Sequence, residues 1–559
     1  MRGHFTELKY RLAAAAVLCA AVLMGAVSWS FAKAPQTADS IEDLSIWAAQ
    51  RAPEGTELLI TVDAGRSPQG VLDSAQLSSM SKRMGTLLNR LDAPVNSFAD
   101  IDPEDLQWAS DKAVFMGCWP REEEPLQCAL IVSVKDKALA QEFLEDDVSD
   151  IPHALRDGMV YMASSEDYLQ KISGSGTKVL NASPKFQKAR QRIKYGRYAF
   201  VYADLSYAAP KAAELLDEII NEDRDNENKK INLSDVRALA SSLRCLVGGE
   251  DYLEQRLQGE AYLLADTAKS GQLGRIAFNP AYNIEHPALG QRAADTQVCC
   301  AANMKYNYDL LYVLLGAHPV ARELRGYPDI MLSAYGLTME KDVWGELLTG
   351  SVVCSVREFD YAGLMSKPET EEKDSAESGK KEQPAKAKAA EQMLKALANS
   401  DWRISADLRS SRKLALMAER IPLLQSLIDG KLAQDTNRGD SSAAAERWKN
   451  LPPARVAGNT IWLAGKAANC GPAASQEAKL GDNTCWKTLQ AMNGSRAAAV
   501  WMRNNEAILS GLTAQNDDTP RLLLTTMIDI LSKRGRMQCG SMVIVPDGVR
   551  FCEVIEGGF

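Results

Sequence analysis

Cysteine carries the most usable chemistry in this chain. Eleven are present, and one, Cys19, falls inside an apolar amino-terminal run, which leaves ten. An even count at close spacings reads as a disulfide framework if the chain folds in an oxidising compartment. "CWPREEEPLQC" sets Cys118 and Cys128 on two apolar runs around a charged turn. "CGSMVIVPDGVRFC" sets Cys539 and Cys552 on strands around Pro546-Asp547-Gly548. Cys470 and Cys485 bracket a loop containing Gly and Ser. These three pairs are the expected bridges, because strand pairs bring opposed side chains within bridging range. Cys245, Cys299, Cys300 and Cys354 stay open in their pairing. On a strand, Cys299 and Cys300 point to opposite faces. No Cys-x-x-Cys pair exists, and His153, His286 and His318 lie far apart, so no zinc site is expected.

Other reactive patterns are weaker. Ser79-x-x-Lys82, Ser175-x-x-Lys178 and Ser410-x-x-Lys413 have the spacing of an acylating serine. The supporting elements of such enzymes are missing, as is a Gly-x-Ser-x-Gly elbow. "GSGTK" lacks the leading glycine of a phosphate loop. No Gly-x-Gly-x-x-Gly follows a strand, so no dinucleotide and no other cofactor is implied. Asp223, Asp225 and Glu227 imitate the first ligands of a calcium loop, but Asn228 and Ser234 stand where Gly and Glu belong. Arg438-Gly439-Asp440 reads as an exposed turn, and Gly248-Gly249-Glu250-Asp251 as a hairpin turn. Trp108 and Trp344 are expected to plug cores.

The elements that position these residues are short strands alternating with amphipathic helices. In "KDKALAQEFLED" and "SSRKLALMAERI", Leu139, Phe143 and Leu144, and Leu414, Met417 and Ile421, recur at helical spacing. Six segments of the first half recur in order in the second. "DLQWASDKAVFMGCWP" matches "DVWGELLTGSVVCSVREF", and "LRDGMVYMASSEDYLQKI" matches "RVAGNTIWLAGKAAN". The order predicts an α+β protein of two related lobes, each a mostly antiparallel sheet with helices on one face. The lobes are expected at 36–280 and 291–559, divided by the proline-interrupted stretch 277–290. A solvated insertion is expected near 366–392, where mixed charge and no aromatic leave too little apolar area to offset ordering entropy.

Arg2, Lys9 and Arg11 precede an apolar run from Leu12 to about Val27. Residues 1–35 therefore read as a signal peptide or a membrane anchor, with Ser30-Phe31-Ala32 as a small-x-small site. Either way the rest is exported, to the periplasm or the outer face of the inner membrane. If the leader is uncleaved, residues 12–29 hold the chain at the membrane. The net charge of −9, with no large basic block beyond the leader, argues against a nucleic-acid partner.

The strand–helix order, "DGMVYMASSEDYLQKI" and "GRYAFVYADLS" resemble exported bacterial proteins that carry a repeated domain of unknown function. The resemblance covers most of residues 55–555. It implies an envelope location and a repeat architecture, and it supplies no catalytic residues. The expected role is binding or scaffolding, with an envelope protein or other macromolecule as partner and no bond chemistry. One alternative is an envelope hydrolase with a dispersed site, marked by a buried perturbed carboxylate or a Ser–His contact. Another is a carrier of lipid or hydrophobic peptide, marked by a large apolar cavity.

Overall fold

The computed structural model describes residues 43–66, 107–119, 121, 127–146, 148–173, 178–221, 231–254, 256–318, 321–361, 396, 399–421, 424–425, 454–465, 478–514 and 535–557. The leader, the insertion near 366–392, Cys470, the Ser79 motif, the Asp223 loop and Arg438-Gly439-Asp440 lie outside the described residues.

The chain is α+β, built on one antiparallel sheet of sixteen strands. Eight come from the first half: β1 (Leu58–Asp63), β2 (Ala109–Gly117), β3 (Cys128–Val134), β4 (His153–Arg156), β5 (Met159–Ala163), β6 (Ala199–Asp204), β7 (Leu243–Leu253) and β8 (Arg256–Ala265). Eight come from the second: β9 (Val298–Asn303), β10 (Leu348–Glu358), β11 (Asp401–Leu408), β12 (Ala454–Ala457), β13 (Thr460–Ala464), β14 (Ala499–Asn504), β15 (Met537–Val545) and β16 (Gly548–Glu556). The first half is ordered β4-β5-β3-β2-β1-β6-β7-β8. The second is ordered β12-β13-β11-β10-β9-β14-β15-β16, strand for strand the same.

Two separate lobes with a cleft between them are not what forms. β8 and β16, the inner edge of each half, pair along nine residues from Gly548↔Leu264 to Glu556↔Arg256. Each would otherwise expose a long row of unpaired backbone groups, and pairing removes both edges at once.

Helices cover both faces, not one. On the first face, α1 (Leu44–Ala49), α3 (Glu166–Ser173) and α4 (Pro184–Arg190) bury Leu44, Tyr168 and Phe186 against Leu59, Met116 and Tyr202. On the second face, α2 (Lys137–Asp146) buries Phe143 and Leu144 against Phe115 and Val160, and α5 (Ala208–Asn221) starts over Val201 and Leu246. The cause is visible along the strands. β5 is buried at all five positions, so neither side can be left to water. Trp108 stacks with Phe143 in the second-face core at a centroid distance of 5.2 Å, as a core plug should. Trp344 is also buried and packs on Tyr308.

Between them, α6 (Ser234–Ser242) and α7 (Gly271–Ala277) pack near the crossing from first half to second. In the second half, α8 (Pro287–Gly290) and α12 (Thr484–Asn493) repeat α1 and α4, with Leu289, Trp486 and Leu489 over Val353 and Val500. The matching loops close alike: Leu180 N–H donates to Ala52 O and Leu480 N–H to Arg292 O, both at 2.8 Å. α11 (Ser411–Ala418) repeats α2, burying Leu414 and Met417. α9 (Met304–Ala317), α10 (Tyr327–Ser333) and α13 (Asn505–Ala514) complete the set.

The start of α12 is a local device. Asn483 Oδ1 accepts the Cys485 and Trp486 N–H groups at 2.8 and 3.2 Å. Ser183, in the matching place before α4, makes no such bond. Asn483→Ala should lower the chemical-denaturation stability by about 1 kcal/mol, whereas Ser183→Ala should change it by much less.

Candidate functional site

The Ser410-x-x-Lys413 motif is structural. Ser410 Oγ caps α11 by accepting the Lys413 N–H at 3.1 Å. Lys413 Nζ is held by Asp342 at 2.9 Å and by Glu346. A lysine so paired is cationic and cannot take a proton from serine.

A Ser–His contact does form, at an unexpected place. His286 Nδ1 lies 3.1 Å from Ser351 Oγ, and Nε2 lies 3.1 Å from the Ala497 carbonyl. The carbonyl requires the proton on Nε2, so Nδ1 accepts from the serine hydroxyl. Burial pushes the His286 pKa down. Both residues are buried, Ser351 at 1% exposure, and the contact ties the Ile284–Glu285 and Arg496–Ala497 ribbon to β10.

Two perturbed carboxylates sit where the halves join. Gly248-Gly249-Glu250-Asp251 is not a turn. It lies inside β7, and the hairpin turns at Glu254, whose φ is +50°. The dipeptide's glycines instead allow close approach: a Cβ at Gly249 would stand 2.5 Å from the Tyr195 carbonyl oxygen. Glu250 of β7 and Glu553 of β16 both oppose Gly259 of β8, one from each side. A Cβ at Gly259 would meet Glu250 Cγ at 2.9 Å, so the glycine makes the space in which that side chain lies. Burial, then the Glu553 and Asp251 charges, raise the Glu250 pKa well above the carboxylate range. Burial raises that of Glu553 to about 7, against the Gln538 hydrogen bond and the Arg503 charge. Each keeps one buried oxygen, Oε2, without a hydrogen-bond partner. On the first face the join is tied by an ion pair, Arg550 to the fully buried Glu260, at 2.8 Å.

Among the described cysteines no disulfide is formed. Their register bears on the expected pairing. Cys128 opposes Gly117, and the Cys118 N–H donates to Gln127 O, so Cys118 and Cys128 are staggered. Cys539 opposes Val554 and Cys552 opposes Ser541, again a diagonal. Cys539 and Cys552 are thus two positions out of register, ~7–8 Å apart and beyond bridging range, whereas Cys118 is one position out of register with Cys128. The Cys539 thiol faces Cys485 instead. As expected of a strand, Cys299 is buried and Cys300 exposed.

The feature best suited to binding was not singled out in the sequence. Leu324, Tyr327, Ile330 and Met331 are each more than half exposed, on a 3₁₀ turn at Ala321–Gly326 and on α10. Leu311 and Tyr312 of α9 adjoin them, with Arg325 laid over the Tyr312 ring at 5.2 Å. The support beneath is firm. Leu332 turns inward onto the Leu337 and Leu414 cluster, and Asp329 Oδ1 accepts the Met339 N–H at 2.8 Å. The signal was available: "DLLYVLLGA" is apolar around its whole circumference, and "GYPDIMLSAYG" places large apolar residues on more than one helical face.

The hollow at the outer edge of the sheet, lined by Leu155, Arg156 and Lys137, is polar and distant from the junction of the halves. Among the described residues no cluster of three or more His, Cys, Asp or Glu could hold a metal ion. No helix among them is long and apolar enough to cross a membrane. Comparison with family models, curated proteins and solved structures finds no match.

Proposed function

We propose that the chain is an exported cell-envelope protein, free in the periplasm or held at the outer face of the inner membrane, that binds a protein partner through the α9–α10 surface. The observation that carries this reading is the cluster of Leu324, Tyr327, Ile330 and Met331 standing in water on a rigid support. A continuous apolar patch with aromatic, Met and Arg side chains has the composition of an interface core. Binding would bury it without bond chemistry. Export is supported by the basic residues before the apolar run at 12–27. We further propose that the two halves are products of an internal duplication, on the strength of the repeated strand order.

The test is capture from the native host. Full-length chain, cross-linked in intact cells, should fractionate with the envelope and carry a stoichiometric protein partner. Ile330→Glu combined with Met331→Glu should abolish that capture while leaving the melting temperature within a degree or so, since exposed substitutions change stability by no more than ~0.5 kcal/mol. Recovery of the chain from the cytosol, or undiminished capture by the double variant, would defeat the proposal.

A further inference from the structure

Two other thiol pairs have the geometry that Cys539 and Cys552 lack. Cys300 of β9 and Cys354 of β10 are direct cross-strand partners. Residues directly opposed in an antiparallel pair have Cα atoms ~4.5–5.5 Å apart, inside the range of cystines. The two thiols already interact with one another. Cys485 enters from α12, fixed by the Asn483 cap, and its thiol donates to Val554 O at 3.3 Å beside the Cys539 sulfur. Along the Cys300 row the sheet alternation turns Cys299 to the other face, so Cys299 does not compete.

We infer that the covalent staples of this protein are Cys300–Cys354 and Cys485–Cys539, both within the second half. The inference rests on the export reading only for where the oxidant is met. The oxidant is a disulfide-donating thiol oxidoreductase or its small-molecule equivalent. One thiolate of the chain attacks a donor sulfur, giving a mixed disulfide and releasing the donor's first thiolate. The partner cysteine loses its proton and attacks the bound chain sulfur. The intramolecular S–S bond forms and the donor's second thiolate leaves. Two electrons and the two thiol protons end on the donor, which becomes a dithiol.

The two pairs differ in access. Cys300 is exposed, and its hydrogen bond with Cys354, outweighing burial, lowers its pKa to about 6, so it is the attacking thiolate at neutral pH. Cys354 keeps its proton, its pKa being raised chiefly by the same contact. This pair should close on the folded protein. Cys485 and Cys539 are both at 0% exposure. That pair should close only while the chain folds.

The experiment uses full-length chain purified in detergent under reducing conditions. Oxidised glutathione is added either to the folded protein or during refolding, and linked peptides are mapped without reduction. The folded sample should give Cys300–Cys354 alone, and the refolded sample both links. Cys354→Ser should leave Cys300 open to rapid alkylation, with a rate at least tenfold above that of any other described cysteine. Links of Cys118 to Cys128 or Cys539 to Cys552, or no link to Cys300 in either sample, would overturn the inference. If these links form in vitro but material from the native host carries only thiols, the pairing stands and the export reading falls.

Discussion

Arg550→Ala should destabilise the chain by about 3–5 kcal/mol, the cost of stranding a buried charge. Glu260 has no exposed side-chain surface, and Arg550 is its cation at 2.8 Å. The two residues belong to different halves, Glu260 to β8 and Arg550 to β16, and Cys552 lies directly opposite Glu260. Arg550 also donates to Met492 O at 3.2 Å and covers the Tyr262 ring at 5.6 Å, so its loss opens packing on both sides of the seam. The Lys194 N–H also donates to Glu260, but one neutral donor cannot replace a guanidinium. Removing both charges, with Glu260→Gln and Arg550→Met together, should recover much of the loss. Urea denaturation of the wild type, Arg550→Ala and the double variant measures it. An Arg550→Ala midpoint equal to the wild type would show that Glu260 is compensated in some other way and that this pair does not hold the seam.

The second large effect is a dependence on pH. Burial raises the Glu553 pKa in the folded chain from 4.5 to about 7. Between those values the unfolded chain has lost a proton that the folded chain still holds. Stability is therefore full below pH ~4.5 and falls as pH rises towards the folded value, by about 3 kcal/mol for a shift of this size. Glu250 acts in the same direction, its folded pKa lying well above 4.5. Glu553→Gln keeps the shape and removes the titration. Its stability between pH 4.5 and 8 should fall by that much less than the wild type's. Parallel curves for the two proteins would mean that Glu553 is ionised in the fold, with Arg503 and Gln538 compensating its charge. These sealed acids are the mark anticipated for a hydrolase. They flank a glycine inside the sheet, at the join of the two halves.

Much of the local architecture was legible. The helical spacing predicts a helix here and α2 forms, burying Phe143 and Leu144 as expected, while Leu139 stands exposed and Ala140 takes its place in the core. Asp157-Gly158 and Gly458-Asn459 mark turns, and Asp157, Gly158 and Gly458 all have positive φ. The repeated order of segments is the repeated order of strands. The site was legible only in part. Gly248-Gly249 looked like a turn because glycine is the usual turn residue. Here the glycines sit mid-strand, because the Tyr195 and Gly196 backbone crowds Gly249 and the Ala261 side chain crowds Gly248. The cysteine pairs were matched by nearness along the chain, and bridging depends on register.

What the chain by itself determined is whatever depends on near neighbours: caps, turn residues, the periods of two and 3.6, and the order of elements. Residues a few positions apart meet whatever the rest of the molecule does. The tertiary structure alone decided that the two inner edges zip into one sheet, that Cys300 faces Cys354, and that Glu250 and Glu553 share the flanks of Gly259. Each of these is a contact across tens to hundreds of residues. A one-residue slip in strand register would undo it without altering any local preference.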